Sequence, residues 1–506
     1  MPAHQNREDF SKIRSWMFPI YSHELIKLIP MGLLMILISF NFWILHISKD
    51  TLVITAKHSG AEVISFLKLP VFLFSILFIM GFTWASNLFK QRAIFYGIIT
   101  FFIVFFLVFK FVLYPYQDSL NMFTSEELFS LKARYPSLRW LFPVLCYWGY
   151  SLFYIISELW GAVVLSLLFW QFSNQITTVE QSRRFYMLFG MFNGLGTILL
   201  GVFVYYYQPG AGLAGAYAMK LDHLILIFSF VSLLIMGIYF WVNKYAVKDK
   251  MHYHPDKGTP DAQHEIKLSF VESFRYILTS KYVGYIAIIS IAYNISINFV
   301  EVTWKSQIEK MYPDPSQMES YFSLITIYIG ILTCAIGFFG AGFIRRFSWK
   351  TSALVTPVAM LVAGSLFYWV TLKGESLYWL TQLICMSPVA FSVWIGQIHN
   401  LTSRSCKYSF FAATREMAFI PLDAELKVKG KAAVDVLSGR VGKFGASLIQ
   451  SVLLSLSALS TQTTIAPFLM VASLLVIVVW MWSINRLNKE FLNVAYGSTT
   501  AEQLKK

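Results

Sequence analysis

The sequence predicts an all-α membrane protein with about twelve transmembrane helices. Of its 506 residues, 57% are hydrophobic and only 13% are charged, whereas charged residues make up about a quarter of a typical soluble domain. A soluble chain of this length could not bury so much apolar surface in one or two cores, but a bilayer can cover it. The apolar residues also come in runs of about 20, the length that crosses the hydrocarbon core as a helix.

These apolar runs fall into two groups of six, separated by a long polar stretch. They lie at 28–48, 63–88, 93–115, 140–172, 187–207, 222–243, 283–304, 321–344, 351–371, 378–399, 438–459 and 465–485. We therefore expect an N-terminal segment and six-helix half (1–243), a cytoplasmic central loop (244–282) and a C-terminal six-helix half (283–506). Two such halves joined by a polar loop are the layout of many secondary transporters.

The distribution of lysine and arginine predicts the orientation. With the N-terminus inside, most of the 41 basic residues fall in segments predicted to be cytoplasmic, which is the bias seen in inner-membrane proteins. We expect a multi-pass protein of the cell (inner) membrane with both termini in the cytoplasm. The net charge of +14 is then a topology signal, and we expect no nucleic-acid partner because no basic soluble domain is present.

Four charged residues lie inside the apolar runs, two in each half: Lys68, Glu158, Glu301 and Lys443. A charge at the bilayer centre costs about 2.5–3.5 kcal/mol on insertion scales, so each requires a reason. Asn298 precedes Glu301 at helical spacing and lies on the same face. The four charges either pair as structural salt bridges or line a polar cavity between the halves, where the lysines bind an anionic substrate and the glutamates act as gating partners or proton carriers.

Two further segments allow more than one interpretation. Gly190 and Gly194 have GxxxG spacing, which predicts close helix packing, and Asn193 between them either joins that contact or faces the cavity. The amphipathic segment 408–437 carries both signs of charge. It is predicted to be a cytoplasmic interfacial helix with a connector, or a gate whose ionic contacts differ between transport states.

Several functional classes lack their motifs. A phosphate-binding loop requires GxxxxGK[ST], and KGKAAV (429–434) lacks both the first glycine and the hydroxyl residue. Pumping driven by nucleotide hydrolysis is therefore not expected. No clustered metal ligands and no nucleophile with a base appear, so we predict that the chain is not an enzyme and uses no metal or cofactor.

Long motifs resemble one known family over residues 18–490. They include KDTLVIT (49–55), SELWGAVVLSLLFWQFSNQIT (157–177), INFVEVTWKS (297–306), REMAFIPLDAELKVKGKAAVDV (415–436) and GRVGKFG (439–445). These segments resemble the nucleotide transporters, or ATP/ADP translocases, of obligate intracellular bacteria and plastids. The resemblance implies a twelve-helix fold of the major facilitator type. It also implies that the family's essential charges correspond to the four charges within the apolar runs.

Two positions depart from the usual pattern of that family. His46 stands where arginine is usual, and Phe444 replaces a small serine beside Lys443. Both changes fall near positions expected to contact substrate.

The resemblance leaves two modes of transport open. The first is exchange of ATP for ADP by alternating access, with Lys68 and Lys443 neutralising phosphates and Lys49 and Arg440 assisting at the mouths of the cavity. The second is proton-coupled uptake of nucleoside triphosphates, with a glutamate as the proton carrier. The expected partners are ATP, ADP or other nucleotides, the lipid bilayer, and protons or phosphate as coupled ions. The protein is expected to be a monomer.

Overall fold

A computed structural model describes residues 20–496, except 22–23, 178, 211, 213–214, 247–279, 347, 420–421, 423 and 457–459. The described residues form helices and no strands, which confirms the all-α prediction. The long helices are α1 (Leu25–Ile54), α2 (Val63–Leu88), α3 (Gln91–Val108), α4 (Trp148–Trp160), α5 (Val179–Tyr206), α6 (Ala216–Trp241), α7 (Lys281–Met311), α8 (Pro315–Arg346), α9 (Trp349–Lys373), α10 (Pro388–Cys406), α11 (Ala424–Ser455) and α12 (Gln462–Tyr496).

Shorter pieces extend or connect these helices. A π-helical stretch (Gly161–Leu168) and a final turn (Phe169–Ile176) continue α4, and a capped helix (Ser125–Arg134) lies in the α3–α4 connection. Each predicted apolar run overlaps one long helix, and ten helical segments in the described residues are long and apolar enough to cross a membrane. The central loop 244–282 lies outside the described residues except at its two ends.

Helix ends differ from the predicted runs where turn residues interrupt an apolar stretch. The run 378–399 contains a short helix (Tyr378–Leu383) and then α10, which begins at Pro388. Proline suits the first helical position because its missing N–H would be unpaired there, and Ser387 caps the helix by accepting a hydrogen bond from Ala390 N at 3.1 Å. The segment 408–437 likewise contains the start of α11.

The two six-helix halves meet closely along α5 and α8. A Cβ added at Gly194 would lie 2.6 Å from Cys334 Sγ and 3.2 Å from the carbonyl oxygen of Gly330, so no larger residue fits. Gly201 makes the same kind of contact about two turns later, where a Cβ would lie 2.9 Å from Ser323 O. At Gly190 a Cβ would meet nothing within 4 Å. Close packing at Gly194 is therefore confirmed, whereas the prediction that Gly190 belongs to the same close contact was wrong.

This difference gives a matched pair of substitutions. Gly194→Val should force α5 and α8 apart and lower the melting temperature of the purified protein, because overpacking a tight contact costs about 1–3 kcal/mol. Gly190→Val introduces the same side chain into open space on the same helix and should leave the melting temperature nearly unchanged. Equal melting temperatures for the two variants would contradict the assigned contact.

The halves also touch at the end of the bundle where α1 leads into α2, which we call the α1–α2 end. Glu309 Oε2 accepts a hydrogen bond from Ala61 N at 2.8 Å, and Glu62 Oε1 accepts one from Gln462 N at 2.9 Å. Trp140 Nε1 donates to Ser460 O at 2.9 Å. Burial raises the pKa of the Glu62 carboxyl, and the backbone hydrogen bonds that it accepts offset only part of that shift. The bundle is thus closed at this end.

Candidate functional site

A connected group of ion pairs lies between the two halves, and we call it the central charged cluster. Its members are Lys49, Asp50, Glu158, Glu301, Lys305, Arg404 and Lys443. Three of them come from α1 and α4 in the N-terminal half, and four from α7, α10 and α11 in the C-terminal half. The long apolar helices bury most of these charges, where an ion pair interacts more strongly than at a surface, whereas Lys443 is exposed.

Lys49 holds the N-terminal part of the cluster together. It is 2% exposed and its Nζ lies 2.9 Å from Asp50 Oδ1 and 3.0 Å from Glu158 Oε1. The same ammonium lies 4.2 Å from the centroid of the Tyr154 ring, a cation–π contact. One lysine therefore bridges α1 and α4 with its charge fully compensated.

Lys305 and Lys443 connect the halves. Lys305 Nζ lies 2.8 Å from Asp50 Oδ2 on α1 and 2.9 Å from Glu301 Oε1 one turn earlier on α7. Lys443 Nζ lies 3.6 Å from Glu158 Oε2, and its side chain is 51% exposed. The Lys305–Asp50 contact is short and buried, whereas the Lys443–Glu158 contact is longer and involves an exposed lysine side chain. Within the central charged cluster, two cation–carboxylate contacts thus cross the interface between halves.

Lys68 lies beside the cluster without a carboxylate in contact. It is 8% exposed, and its Nζ donates a hydrogen bond to Asn298 Oδ1 on α7 of the other half. In the described part of the chain, no acidic group lies within 4.0 Å of it. A buried ammonium that has only a neutral partner is costly. This position therefore favours an additional anion.

The charges of the central charged cluster and the neighbouring Lys68 do not balance. Five cations (Lys49, Lys68, Lys305, Arg404 and Lys443) face three carboxylates (Asp50, Glu158 and Glu301) in the described residues. The surplus is positive and sits between two halves of a membrane-spanning bundle. Such an arrangement attracts a polyanion and disfavours a cation.

Two predicted site residues lie outside this cluster. Arg440 Nη1 donates to Ser75 O at 3.0 Å, which ties α11 to α2. Asn193 contributes its backbone, since its carbonyl oxygen accepts a hydrogen bond from Ser39 Oγ at 3.0 Å. Neither residue makes an ion pair or side-chain hydrogen bond to the cluster among the described contacts. The structure thus brings together Lys49, Lys68, Glu158, Asn298, Glu301 and Lys443, but not Asn193 or Arg440.

Sequence reasoning missed Asp50, Lys305 and Arg404. The predicted runs ended at 48, 304 and 399, and each of these residues follows such an end. The helices continue further, since α1 ends at Ile54, α7 at Met311 and α10 at Cys406. Helical spacing was a usable signal, because Lys305 follows Glu301 by four residues and so shares its face.

One known protein family matches nearly the whole chain. The family described as TLC ATP/ADP transporter matches residues 3–491. The chain belongs to this family. It is 39% identical over 490 residues to "ADP,ATP carrier protein 1" of Chlamydia muridarum, which covers 96% of this chain and 92% of that protein. It is 36% identical to "ADP,ATP carrier protein 1" of Rickettsia prowazekii, covering 97% and 98%. The predicted family resemblance is confirmed, and the chain is a multi-pass membrane transporter, not an enzyme.

Solved structures of similar shape agree on the fold. The nucleoside transporter NupG superposes with a TM-score of 0.54 at 12% identity, covering 90% of this chain and 99% of that one. A bacterial homologue of the iron transporter ferroportin superposes with a TM-score of 0.52 at 13% identity, covering 92% and 99%. At such identities the likeness shows the fold alone, which is that of the major facilitator type.

Proposed function

We propose that the protein exchanges ATP for ADP across the cell membrane by alternating access. The observation that carries this proposal is the surplus of positive charge in and beside the central charged cluster, where buried Lys68 has no carboxylate in contact among the described residues. A nucleotide with several negative charges needs such compensation to cross hydrocarbon. The names of the Chlamydia and Rickettsia relatives, "ADP,ATP carrier protein 1", support this choice of substrates.

The predicted site residues other than Glu301 have proposed roles as follows. Lys68 and Lys443 bind phosphate oxygens, and Asn298 orients the Lys68 ammonium through its side-chain oxygen. Lys49 holds Glu158 within the cluster and adds positive potential. Arg440 supports the contact between α2 and α11 through Ser75, and Asn193 supports α1 through its backbone.

The ion pairs between halves explain why the carrier would exchange substrates. In the structure, Asp50 contacts Lys305 and Glu158 contacts Lys443 across the interface. Nucleotide phosphates compete for the same ammonium groups, because phosphate and carboxylate both accept charge-assisted hydrogen bonds through negatively charged oxygens. The bound nucleotide thus releases the carboxylates and lets the halves separate. The empty carrier stays closed, so return without a substrate is slow.

Proton-coupled uptake is the second mode considered for this family. It requires Glu158 or Glu301 to alternate between charged and neutral forms. In the described structure Glu158 contacts Lys49 and Lys443, while Glu301 contacts Lys305 and Arg404. Two cations around each carboxylate favour its charged form. This arrangement supports exchange over proton symport.

The experiment that tests the proposal is uptake of labelled ATP by intact bacterial cells expressing the protein. Excess unlabelled ADP added outside after uptake should release the label, since each entering ADP drives one ATP out. Cells without the protein provide the background. Label that stays inside during the ADP chase would count against exchange even if uptake were observed.

We further propose that both termini and the central loop face the cytoplasm in the inner membrane, so the α1–α2 end faces outward. Single cysteines at Asp256→Cys and Thr500→Cys, with native cysteines removed, should resist an impermeant thiol reagent in intact cells. Cys385, which is exposed between α9 and α10, provides the positive control when it is kept alone. Labelling at 256 or 500 from outside would reverse the assigned orientation.

A further inference from the structure

A stripe of side chains at the start of α2 faces the C-terminal half. It consists of Glu62 just before the helix, then Ser65 and Lys68, at intervals of three residues. These side chains make hydrogen bonds to α12, α11 and α7 in turn. Residues three or four apart share a helix face. α2 therefore meets the other half along one face, from the α1–α2 end to Lys68.

Buried hydrogen bonds join these positions into a chain across the interface. Gln462 Nε2 donates to Ser65 Oγ at 3.4 Å, and the Ser65 hydroxyl donates to Gln450 Oε1 at 3.0 Å. Gln450 Nε2 then donates to the backbone oxygen of Asn298 at 3.5 Å, the longest of these links. Gln462, Ser65 and Gln450 are all fully buried. The chain ends at Lys68, whose ammonium donates to Asn298 Oδ1.

Gln450 links Ser65 of one half to Asn298 of the other. The orientation of its amide follows from these partners, because a backbone oxygen only accepts hydrogen bonds and Nε2 must therefore face Asn298. The amide oxygen then faces the Ser65 hydroxyl. A buried amide is costly when unpaired, but here its oxygen and its nitrogen both have partners. Gln450 thus holds α7 against α2 at the level of Lys68.

Two further contacts between α2 and α11 lie on the other side of Lys68. One turn further along α2, the Phe72 ring stacks on the Phe444 ring with centroids 4.5 Å apart. Beyond it, Arg440 Nη1 donates to Ser75 O at 3.0 Å. Lys68 therefore lies between two groups of contacts, a hydrogen-bonded group toward the α1–α2 end and a second group farther from that end.

We propose that Gln450 is a positioning residue of an outer latch, which couples Lys68 to closure of the α1–α2 end. The outer latch consists of Glu62, Ser65, Gln450 and Gln462. The inference rests on the proposed orientation and alternating access. Two contacts hold Asn298 to α2, the hydrogen bond from Lys68 and the bridge through Gln450. A phosphate that binds the Lys68 ammonium competes for the first contact, so the bridge then keeps the outer path closed.

The test measures outward opening directly, without nucleotide. His46→Cys, in a chain without its native cysteines, places one thiol beside the central charged cluster, since His46 Nε2 lies 3.9 Å from Asp50 Oδ2. The initial rate at which an impermeant thiol reagent labels it in intact cells reports how often the outer path opens. Adding Gln450→Met should raise that rate about threefold to tenfold, because hydrogen bonds of the latch are lost. Ser65→Ala removes the same link from α2 and should give a similar rise.

Gln307→Met is the matched control for these variants. Gln307 is another buried glutamine, 4% exposed, but its Nε2 donates to Thr463 Oγ1 at 3.1 Å within the C-terminal half. Its loss should leave the labelling rate unchanged. Phe444→Ala weakens the contacts on the other side of Lys68, so it should favour inward opening and lower the labelling from outside.

Three outcomes would overturn the outer latch. They are unchanged labelling in both Gln450→Met and Ser65→Ala, an equal rise in Gln307→Met, and an equal rise in Phe444→Ala, all at matched membrane levels. Exchange of labelled ATP by the parent chain tests the proposed function separately. A chain that exchanges no nucleotide defeats that function whatever the labelling shows, whereas exchange with unchanged labelling defeats only the latch.

Discussion

Replacing Lys68 with methionine should reduce ATP uptake by a factor on the order of 100 while leaving membrane insertion intact. The residue is 8% exposed, and among the described residues its ammonium is hydrogen-bonded to the neutral side chain of Asn298 across the interface between halves, with no carboxylate in contact. An incoming phosphate would therefore gain a charge-assisted hydrogen bond without first displacing a carboxylate. Methionine fills a similar volume but offers neither charge nor donor. Initial rates of labelled ATP uptake at matched membrane levels measure the effect.

Two variants control for this loss. Lys68→Arg keeps the charge and should retain part of the activity. The double variant Lys220→Met with Glu319→Gln removes another buried pair between the halves, 3.0 Å apart and outside the central charged cluster. It should transport far better than Lys68→Met. Near-parental uptake by Lys68→Met would remove this lysine from the substrate path.

Substituting Asp50 with asparagine should uncouple exchange. Asp50 Oδ2 lies 2.8 Å from Lys305 Nζ, and this is the shorter of the two ion pairs by which the central charged cluster joins the halves. Asparagine keeps the shape but loses the charge, so the unloaded carrier can change state without substrate. Vesicles loaded with labelled ADP should then lose label with no nucleotide outside, about tenfold faster than the parent if the pair stabilises the closed form by about 1.4 kcal/mol.

Asp222→Asn gives the matched comparison for this leak. Asp222 also forms an ion pair at 2.9 Å, with Lys110, but both partners belong to the N-terminal half. Its removal should leave efflux dependent on external nucleotide. If Asp50→Asn vesicles retain their ADP as tightly as the parent does, the Asp50–Lys305 pair does not restrain the empty carrier.

Hydropathy located the interior charges because each stands within an apolar run. Lys68, Glu158, Glu301 and Lys443 were found in this way, and the structure places all four at the interface between halves. Asp50, Lys305 and Arg404 escaped because hydropathy ends a run at its first charges, whereas the helices continue. Those charges are tolerated because they are paired, and pairing depends on which helices meet.

Contacts between distant segments could not be predicted from the sequence, because they also depend on which helices meet. Arg440 looked like a substrate residue from its charge, yet its guanidinium donates to the Ser75 carbonyl. A small cavity beside the central charged cluster is lined by α1, α7, α8 and α10, which are not all neighbours in sequence. Periodicity assigns a residue to a helix face, but neither the partner of that face nor the space between helices follows from it.

The most direct test of the account is ATP uptake by proteoliposomes that contain only the purified protein, without a pH gradient. Vesicles preloaded with ADP should accumulate labelled ATP, and empty vesicles of the same lipid and protein content should not. That result would follow from a carrier whose unloaded form is held closed by its own carboxylates. Equal ATP accumulation by empty vesicles, or accumulation that appears only when a pH gradient is imposed, would contradict nucleotide exchange as the function of the central charged cluster.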